Sequence, residues 1–108
     1  MKLGVTEYAD CAHFLPGHVK CGTLHGHTYK VELTIEGQIK GGMIIDFADL
    51  KQALREVLTQ YDHRSWNEFL EYPSVENICE LLSHKLKARL TFPFTLRVWE
   101  GHGKWAEI

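Results

Sequence analysis

The stretch His25-Gly26-His27-Thr28-Tyr29-Lys30-Val31-Glu32-Leu33-Thr34-Ile35-Glu36 alternates between two kinds of side chain. Its odd positions carry two histidines and then four aromatic or aliphatic residues, whereas its even positions carry glycine, threonine, lysine and glutamate. A period of two predicts a β-strand with one apolar and one solvated face. Gly37 ends the pattern. The segment from Lys2 to Ala12 alternates more weakly and is interpreted as an earlier strand.

Two amphipathic helices are predicted in the middle of the chain. The first follows Asp46, a residue type that caps helix N-termini. Its apolar residues recur at spacings of three and four: Leu50, Ala53, Leu54, Val57, Leu58 and Tyr61. The second follows Pro73, has Ser74 as its N-cap and ends near Arg89. Its apolar stripe consists of Val75, Ile78, Leu81, Leu82 and Leu86.

Further short strands are predicted around the helices. Met43 to Ile45 is interpreted as a return strand before the first helix, and Phe94 to Glu100 alternates again. After the turn at Gly101-His102-Gly103, Lys104 to Ile108 is long enough for a last strand. The order strands, helix, helix, strands favours an α+β fold, in which an antiparallel sheet of about four strands carries both helices on one face. Such a sheet has two open edges, which proteins often cover by forming oligomers.

Length and composition exclude several classes of protein. The chain has 108 residues, so a single domain, residues 1–108, is expected. The net charge of −2 argues against a nucleic-acid-binding face, and no apolar run is long enough to cross a membrane. Three cysteines without paired spacing are typical of reduced thiols. Glu7 introduces a carboxylate where a secretory signal would be apolar, so we expect a cytoplasmic protein.

Three of the seven histidines are candidates for one metal site. His25 and His27 are two residues apart on the predicted strand, so both imidazoles lie on its apolar face, where buried imidazoles need partners. His13 ends the earlier strand and falls near them if the two strands pair antiparallel. Three histidines with an open fourth position are typical of catalytic zinc. A His-x-His pair alone is also common on exposed strands.

Cys21 lies four residues before His25 and is a candidate base or nucleophile. A metal ion or an imidazolium nearby would favour its thiolate form. A lone cysteine is more often a small buried apolar residue, and Cys11 and Cys79 are interpreted in that way. The alternative from another functional class is a non-catalytic module with a structural zinc site, in which Cys21 is the fourth ligand.

Carboxylates at two further places could act in proton transfer or binding. Asp62 directly precedes His63 after the first helix, where it could orient the ring and stabilise its charged form, or the pair could simply cap the helix end. Glu100 lies on the apolar face of its strand, where a buried carboxylate needs donors. A heterocycle with two adjacent N–H groups could provide both donors, and a salt bridge to lysine or arginine is the equal alternative.

Other polar and aromatic residues are given no functional role. The histidines without an identifiable partner are His18, His84 and His102. The tryptophans are interpreted as packing or interface residues: Trp66, Trp99 and Trp105. The solvated face of the first helix is expected to include Lys51, Arg55 and Glu56.

Taken in order, these segments resemble the family of 6-pyruvoyltetrahydropterin and 6-carboxytetrahydropterin synthases. The resemblance is carried by Cys11-Ala12-His13, Gly17-His18-Val19-Lys20-Cys21, Leu24-His25-Gly26-His27, Gly42-Met43-Ile44-Ile45-Asp46-Phe47, Tyr61-Asp62-His63, Pro73-Ser74-Val75-Glu76-Asn77 and Glu100. A cysteine followed by three residues and His-Gly-His is similar to the carboxy-forming members, which act in the queuosine pathway.

The resemblance implies a role for each candidate residue and a reaction. Zn²⁺ would be bound by His13, His25 and His27. The proton-transferring base would be Cys21, and the other acid–base element would be Asp62 with His63. The pterin would be anchored by Glu100. The implied enzyme is a lyase that converts 7,8-dihydroneopterin triphosphate to 6-carboxy-5,6,7,8-tetrahydropterin, acetaldehyde and triphosphate. The alternatives are a pyruvoyl-forming synthase and a related archaeal-type pterin enzyme that eliminates triphosphate or cleaves the side chain differently.

The resemblance also implies an assembly. Similar enzymes have the tunnelling fold, in which sheets of several subunits join into a barrel, so we expect a homo-oligomer, a trimer or hexamer, with sites between subunits. The chain departs from the family pattern in its short loop between His13 and Cys21, and at Ala9, Ser74-Val75 and Gly101. These departures affect recognition of the substrate side chain and triphosphate, for which Lys20 is the one candidate ligand.

Overall fold

A four-stranded antiparallel sheet carries two helices. The computed structural model describes residues 1–108. The strands are β1 (Lys2–His13), β2 (His25–Glu36), β3 (Phe94–Glu100) and β4 (Trp105–Glu107), and they lie side by side in that order. Between β2 and β3 the chain forms α1 (Phe47–Leu58), a 3₁₀ helix (Trp66–Glu68) and α2 (Val75–Lys87). The predicted α+β class and order of elements are confirmed.

The first two strands form a long hairpin that sets the position of the histidines. Each strand has 12 residues, and they pair from Lys2 opposite Glu36 to His13 opposite His25. Because side chains alternate along a strand, the odd-numbered residues of both strands face the helices. The buried ones on β2 are Tyr29, Val31, Leu33 and Ile35, all with 0% exposure. The first strand is therefore as regular as the second, although its pattern is weaker.

Both helices pack on the same face of the sheet. Asp46 caps α1 by accepting a hydrogen bond from the Ala48 N–H, and Ser74 caps α2 by accepting one from the Asn77 N–H. Such a cap stabilises a helix by about 1 kcal/mol. Helix side chains complete one apolar core with the sheet, among them Leu50, Leu54, Val57, Leu58, Ile78, Leu82 and Leu86. Neither helix has the length and hydropathy of a membrane span.

The predicted return strand from Met43 to Ile45 is wrong. A single bridge joins Lys40 to Met43. The chain turns there because Gly41 and Gly42 both have positive φ, a conformation that glycine adopts without steric cost. The two isoleucines after Met43 instead pack partly buried against the core. The segment therefore closes the turn before α1 and adds no strand to the sheet.

The 3₁₀ helix is an element that the apolar pattern does not predict. Ser65 accepts a hydrogen bond from the Asn67 N–H, while the Glu68 carboxylate accepts one from the Ser65 N–H, which forms a capping box. Trp66 is 1% exposed and belongs to the core, which confirms its interpretation as a packing residue. The Asn67 side chain bonds both the N–H and the C=O of Phe14. This contact holds the chain directly after β1.

The face of the sheet opposite the helices is open. Its side chains include Tyr8, Lys30, Glu32, Arg97, Trp99 and Trp105. The outer edge of β1 is covered over its last residues, because the backbone groups of Asp10 and Ala12 bond residues 62–65 and the Tyr8 carbonyl bonds Arg55. The other edge strand, β4, pairs with β3 alone. The edge of β4 and the first part of the β1 edge are thus available for pairing with another chain.

Candidate active site

Three imidazoles meet at the end of the β1–β2 hairpin where the connecting loop begins. His13 lies 4.6 Å from His25 and 5.2 Å from His27 between ring centroids, and His25 lies 4.9 Å from His27. One ligand atom from each ring lies within 4.8 Å of the others. Ligands at about 2.0–2.1 Å from a tetrahedral zinc ion are roughly 3.4 Å apart, so small ring rotations would close this cluster around one ion.

Hydrogen bonds that the rings donate to backbone carbonyls orient two of the three imidazoles. The Nδ1 atom of His13 lies 2.8 Å from the Pro73 carbonyl, and that of His25 lies 2.7 Å from the Thr23 carbonyl. A carbonyl oxygen can only accept, so each Nδ1 carries a proton, and in the neutral ring Nε2 is then the nitrogen with the lone pair. Metal-binding histidines are usually fixed by a second contact of this kind.

Two ring nitrogens of the cluster are buried without a hydrogen-bond partner. The Nε2 atoms of His13 and His27 are buried and have no hydrogen-bond partner. Buried polar atoms nearly always have one, and a bound metal ion would provide it. Burial lowers the pKa of His27 below its ordinary value, although the Glu100 carboxylate acts in the opposite direction. A neutral imidazole is the form that binds zinc, so the residues present fit this metal.

Glu100 lies next to the histidine cluster. Its carboxylate oxygens are 3.5 Å from Nε2 of His27 and 3.9 Å from Nε2 of His13, and Lys104 approaches it at 3.4 Å. Its side chain is 13% exposed, whereas that of Lys104 is 67% exposed. A solvated lysine is a weak partner. The salt bridge considered from the sequence therefore exists, but the carboxylate also faces the candidate metal centre.

Cys21 lies outside the histidine cluster. The cluster consists of three imidazoles, and no cysteine sulfur belongs to it. Cys21 is half-buried in the loop between β1 and β2. His18 in the same loop was expected to have no partner, but its Nδ1 atom accepts hydrogen bonds from the backbone N–H groups of Lys20 and Cys21. The sequence had indicated no partner for His18, and the structure corrects this.

Asp62 and His63 belong to a second cluster, at the outer edge of β1. One Asp62 oxygen accepts a hydrogen bond from the Asp10 N–H at 2.8 Å and lies 3.1 Å from Nδ1 of His63. The His63 N–H donates to the Asp10 carbonyl. His63 has φ of 64°, which is uncommon for a residue with a side chain, and its ring is 77% exposed. The backbone thus holds a solvent-facing imidazole next to a carboxylate.

Arg55 contacts the Asp62 carboxylate of the second cluster, although the helix pattern predicts it on the solvated face. Its guanidinium donates to the Tyr8 carbonyl at 2.6 Å and lies 3.5 Å from the Asp62 carboxylate and 3.7 Å from that of Glu7. Glu7 is a charged residue on the apolar side of β1. This charge on the apolar side of β1 is the sequence signal that could have indicated a half-buried cation on α1.

A cleft of about 680 Å³ lies at the edge of β1. Its walls include His27 from the histidine cluster and His63 from the second cluster, together with Arg64 and Glu68. The structure therefore brings the three histidines and Glu100 together, and Asp62 and His63 together. It leaves Cys21 in a separate loop.

Cys11 and Cys79 are buried, as expected from the sequence, and all three cysteines are free. The Cys11 thiol contacts the Tyr61 carbonyl and the Cys79 thiol contacts that of Leu96. Burial raises the pKa of both thiols to about 11. Neither is a candidate nucleophile near neutral pH.

Comparison with known proteins assigns the family. The sequence profile described as 6-pyruvoyl tetrahydropterin synthase matches residues 2–108. The chain belongs to this family. A relative from Archaeoglobus fulgidus, named provisionally as a 6-carboxy-5,6,7,8-tetrahydropterin synthase, is 43% identical over 109 residues, which cover 100% of this chain and 95% of the relative. The dihydroneopterin monophosphate aldolase of Pyrococcus furiosus is 37% identical over 82 residues, which cover 73% of this chain and 72% of that protein.

A solved structure of the synthase family agrees with this assignment. The 6-pyruvoyl tetrahydropterin synthase of Caenorhabditis elegans matches with a TM-score of 0.89, covering 100% of this chain and 94% of the other at 21% identity. At that identity the match concerns the fold, which is the tunnelling fold expected from the sequence. The predicted resemblance to the synthase family is confirmed.

Proposed function

We propose that the protein is a zinc-dependent lyase that converts 7,8-dihydroneopterin triphosphate and water to 6-carboxy-5,6,7,8-tetrahydropterin, acetaldehyde and triphosphate. The observation that carries the proposal is the histidine cluster, with the buried, unpartnered Nε2 atoms of His13 and His27. The relative from Archaeoglobus fulgidus supports the choice of reaction, because it matches this chain over its whole length. The spacing of Cys21 from His25 supports the same branch of the family.

His13, His25 and His27 would hold the zinc ion through their Nε2 atoms. Zinc supplies Lewis-acid stabilisation of negative charge on the oxygens of the substrate side chain. The residues leave a fourth position free, because Cys21 is not part of the cluster. An open position is typical of catalytic zinc, whereas structural sites have four protein ligands. This arrangement favours an enzyme over a module with structural zinc.

Proton transfer would be divided between two groups of this chain. Cys21, as thiolate, would remove a proton from the side chain of the substrate. His63 would donate or accept the other proton, and Asp62 would hold its ring through the contact at Nδ1 and stabilise the charged imidazolium. The cleft beside His63 would admit the substrate. Two acid–base groups are needed because the reaction both breaks a carbon–carbon bond and eliminates triphosphate.

Glu100 would anchor the pterin ring. Its carboxylate could accept hydrogen bonds from N3–H and the 2-amino group of a pterin as a bidentate pair. It is 13% exposed, and its one basic side-chain partner apart from the cluster histidines is the exposed Lys104. Lys20, which is exposed in the loop before Cys21, remains the candidate ligand of the triphosphate.

The active site would form between subunits of a homo-oligomer, a trimer or a hexamer. The Asp62–His63 pair belongs to a different cluster from the histidines, and Cys21 belongs to neither. The edge of β4 and the first part of the outer edge of β1 are available for pairing with another subunit. An assembly that joins these edges could place His63 of one subunit near Cys21 of its neighbour. The free cysteines support a reducing, cytoplasmic location.

The proposal is tested by the zinc and cysteine dependence of acetaldehyde release. Purified protein is stripped with a chelator, reloaded with zinc, and incubated with 7,8-dihydroneopterin triphosphate, while circular dichroism follows the fold. We expect the stripped protein to remain folded, lose activity and recover it with zinc. Cys21→Ala should bind one equivalent of zinc and release no acetaldehyde. Unfolding upon chelation, with loss of zinc from Cys21→Ala, would support structural zinc instead.

A second candidate reaction is an aldolase-type cleavage of a dihydroneopterin phosphate. It is favoured by the similarity to the Pyrococcus furiosus dihydroneopterin monophosphate aldolase. The same histidine cluster would serve that reaction, because retro-aldol cleavage also develops negative charge on an oxygen. It differs from the first in its product, since cleavage releases a phosphorylated two-carbon aldehyde and leaves a hydroxymethyl group on the pterin.

A further inference from the structure

The loop between β1 and β2 is closed by backbone hydrogen bonds around Cys21. The Leu15 N–H donates to the Cys21 carbonyl at 2.7 Å, and the His18 N–H donates to the Leu15 carbonyl at 3.0 Å. These bonds bring the two ends of the segment together. The carbonyl of Cys21 is therefore fixed, although all residues from Pro16 to Lys20 are exposed.

The side chain of His18 fixes the amide of the same cysteine. Its Nδ1 atom accepts hydrogen bonds from the Cys21 N–H at 2.9 Å and from the Lys20 N–H at 3.2 Å. A backbone N–H can only donate, so Nδ1 must carry the lone pair and Nε2 must carry the proton. The imidazole thus acts as a neutral acceptor in the Nε2–H tautomer.

Gly22 shows how tightly the loop closes on this histidine. A Cβ atom at position 22 would lie 2.6 Å from the carbonyl oxygen of His18, which is closer than non-bonded atoms approach. The neighbour is backbone, so a side chain at Gly22 could be accommodated only by moving the loop. The chain on both sides of Cys21 therefore lies against His18. The N–H groups of Lys20 and Cys21 bond its side chain, and Gly22 lies against its backbone carbonyl.

We propose that His18 is a positioning residue that holds Cys21 in its catalytic orientation. The inference rests on the proposed role of Cys21 as the base. Loops are usually the mobile parts of a protein, and a base on a loop loses rate when it is misplaced by about 1 Å. His18 restricts that mobility because Nδ1 of its ring accepts a hydrogen bond from the N–H of Cys21 itself. No other side chain bonds the backbone of Cys21.

Two substitutions separate this role from a general requirement for a histidine. In His18→Asn the amide oxygen can occupy the place of Nδ1 and keep an acceptor near both N–H groups. In His18→Gln the acceptor is displaced toward the place of Nε2, and in His18→Ala it is absent. His84→Ala is the matched control, because His84 is exposed on α2 and has no hydrogen-bond partner.

The first readout is the alkylation rate of Cys21 by iodoacetamide in zinc-loaded protein without substrate. Cys11 and Cys79 are buried and do not interfere. We expect His18→Ala and His18→Gln to raise the rate about fivefold, the factor that corresponds to the net contribution of one hydrogen bond. His18→Asn and His84→Ala should stay within about twofold of the native rate. Equal rates in all four variants would overturn the proposal.

The second readout is turnover. We expect kcat of His18→Ala and His18→Gln to fall on the order of 10²-fold with little change in KM, as for a misplaced catalytic group. Zinc content should be unchanged, and His18→Asn should restore most of kcat. An Asn variant as impaired as the Ala variant would contradict the acceptor role. If the native protein shows no turnover, the proposed function fails, while the alkylation rates still decide whether His18 fixes Cys21.

Discussion

His13, the last residue of β1, lies directly opposite His25, the first residue of β2, with ring centroids 4.6 Å apart. The hairpin register alone creates this pair, and His27 joins it from the same face of β2. A shift of the register by one residue would turn the side chains of one strand to the opposite face. The candidate metal centre is therefore as stable as the pairing of these two strands.

Substitution of the proposed metal ligands should remove zinc without unfolding the chain. We expect His13→Ala and His25→Ala to retain far less than one equivalent of zinc after gel filtration, because each removes one of three ligands. Metal content is measured by inductively coupled plasma mass spectrometry. His84→Ala, a surface change on α2, should keep the full equivalent. A full equivalent in His13→Ala would exclude the cluster as the zinc site.

Glu100→Gln should weaken binding of the pterin ring and leave zinc content unchanged. The amide replaces one acceptor oxygen by a donor, so the bidentate pair with two N–H groups is lost. Loss of such a charged hydrogen bond costs about 1.5–3 kcal/mol, which is at least about tenfold in the dissociation constant. The measurement is a fluorescence titration with neopterin. Glu36→Gln at the exposed end of β2 is the control, and equal affinity of the two variants would remove Glu100 from the pterin site.

Arg55→Met should destabilise the fold more than an equivalent change at the surface. The substitution removes a hydrogen bond to the Tyr8 carbonyl and leaves the Glu7 and Asp62 carboxylates, each 23% exposed, without their cation. We expect the free energy of unfolding in urea to fall by about 1–2 kcal/mol.

The control for Arg55 is Arg89→Met. Arg89 has similar exposure, but its partner Glu56 is 47% exposed. Pairs of this kind contribute less than about 1 kcal/mol. Equal losses in the two variants would show that the carboxylates at the β1 edge do not depend on Arg55.

The free energy of unfolding should decrease at alkaline pH, because groups that are buried in the folded chain ionise more readily in the unfolded chain. Burial raises the pKa of the Cys79 thiol from 9.0 to about 11, and burial, followed by the Glu100 charge, raises the pKa of Tyr29. For a raised pKa, the stabilisation is fully present below the value of the unfolded chain and is lost as pH rises through the folded value. We expect the free energy of unfolding to fall between pH 9 and pH 11.

The contribution of one thiol to this decline can be isolated. Cys79→Ala removes a titrating group from the core, so its stability should fall less steeply over the same pH range than that of the native protein. Urea unfolding at several pH values measures both slopes. Parallel slopes would mean that Cys79 does not titrate with a raised pKa.

The sequence predicted the features that depend on the local alternation of side chains or on residue type. The shared face of His25 and His27 follows from their spacing on one strand, and the N-caps at Asp46 and Ser74 follow from residue type. The turn before α1 was mistaken for a strand because three apolar residues after Gly42 look the same in either structure. The geometry of the two glycines decides between them, and that depends on the backbone.

Contacts between distant segments could not be predicted in the same way. Arg55 reaches across from α1 to the edge of β1, and its position on the polar side of the helix gives no indication of this. His18 binds backbone N–H groups, which every residue except proline has, so no side-chain pattern indicates it. Asp62 and His63 lie beside Asp10 because the chain after α1 returns along β1, a path that only the fold defines.

A competition between two substrates decides which of the two reactions the protein catalyses. Zinc-loaded protein is incubated with equal concentrations of 7,8-dihydroneopterin triphosphate and 7,8-dihydroneopterin monophosphate, and the products are identified by liquid chromatography and mass spectrometry. We expect 6-carboxy-5,6,7,8-tetrahydropterin and acetaldehyde from the triphosphate. A hydroxymethyl pterin formed from the monophosphate, with the triphosphate unchanged, would contradict this expectation and assign the histidine cluster to an aldolase.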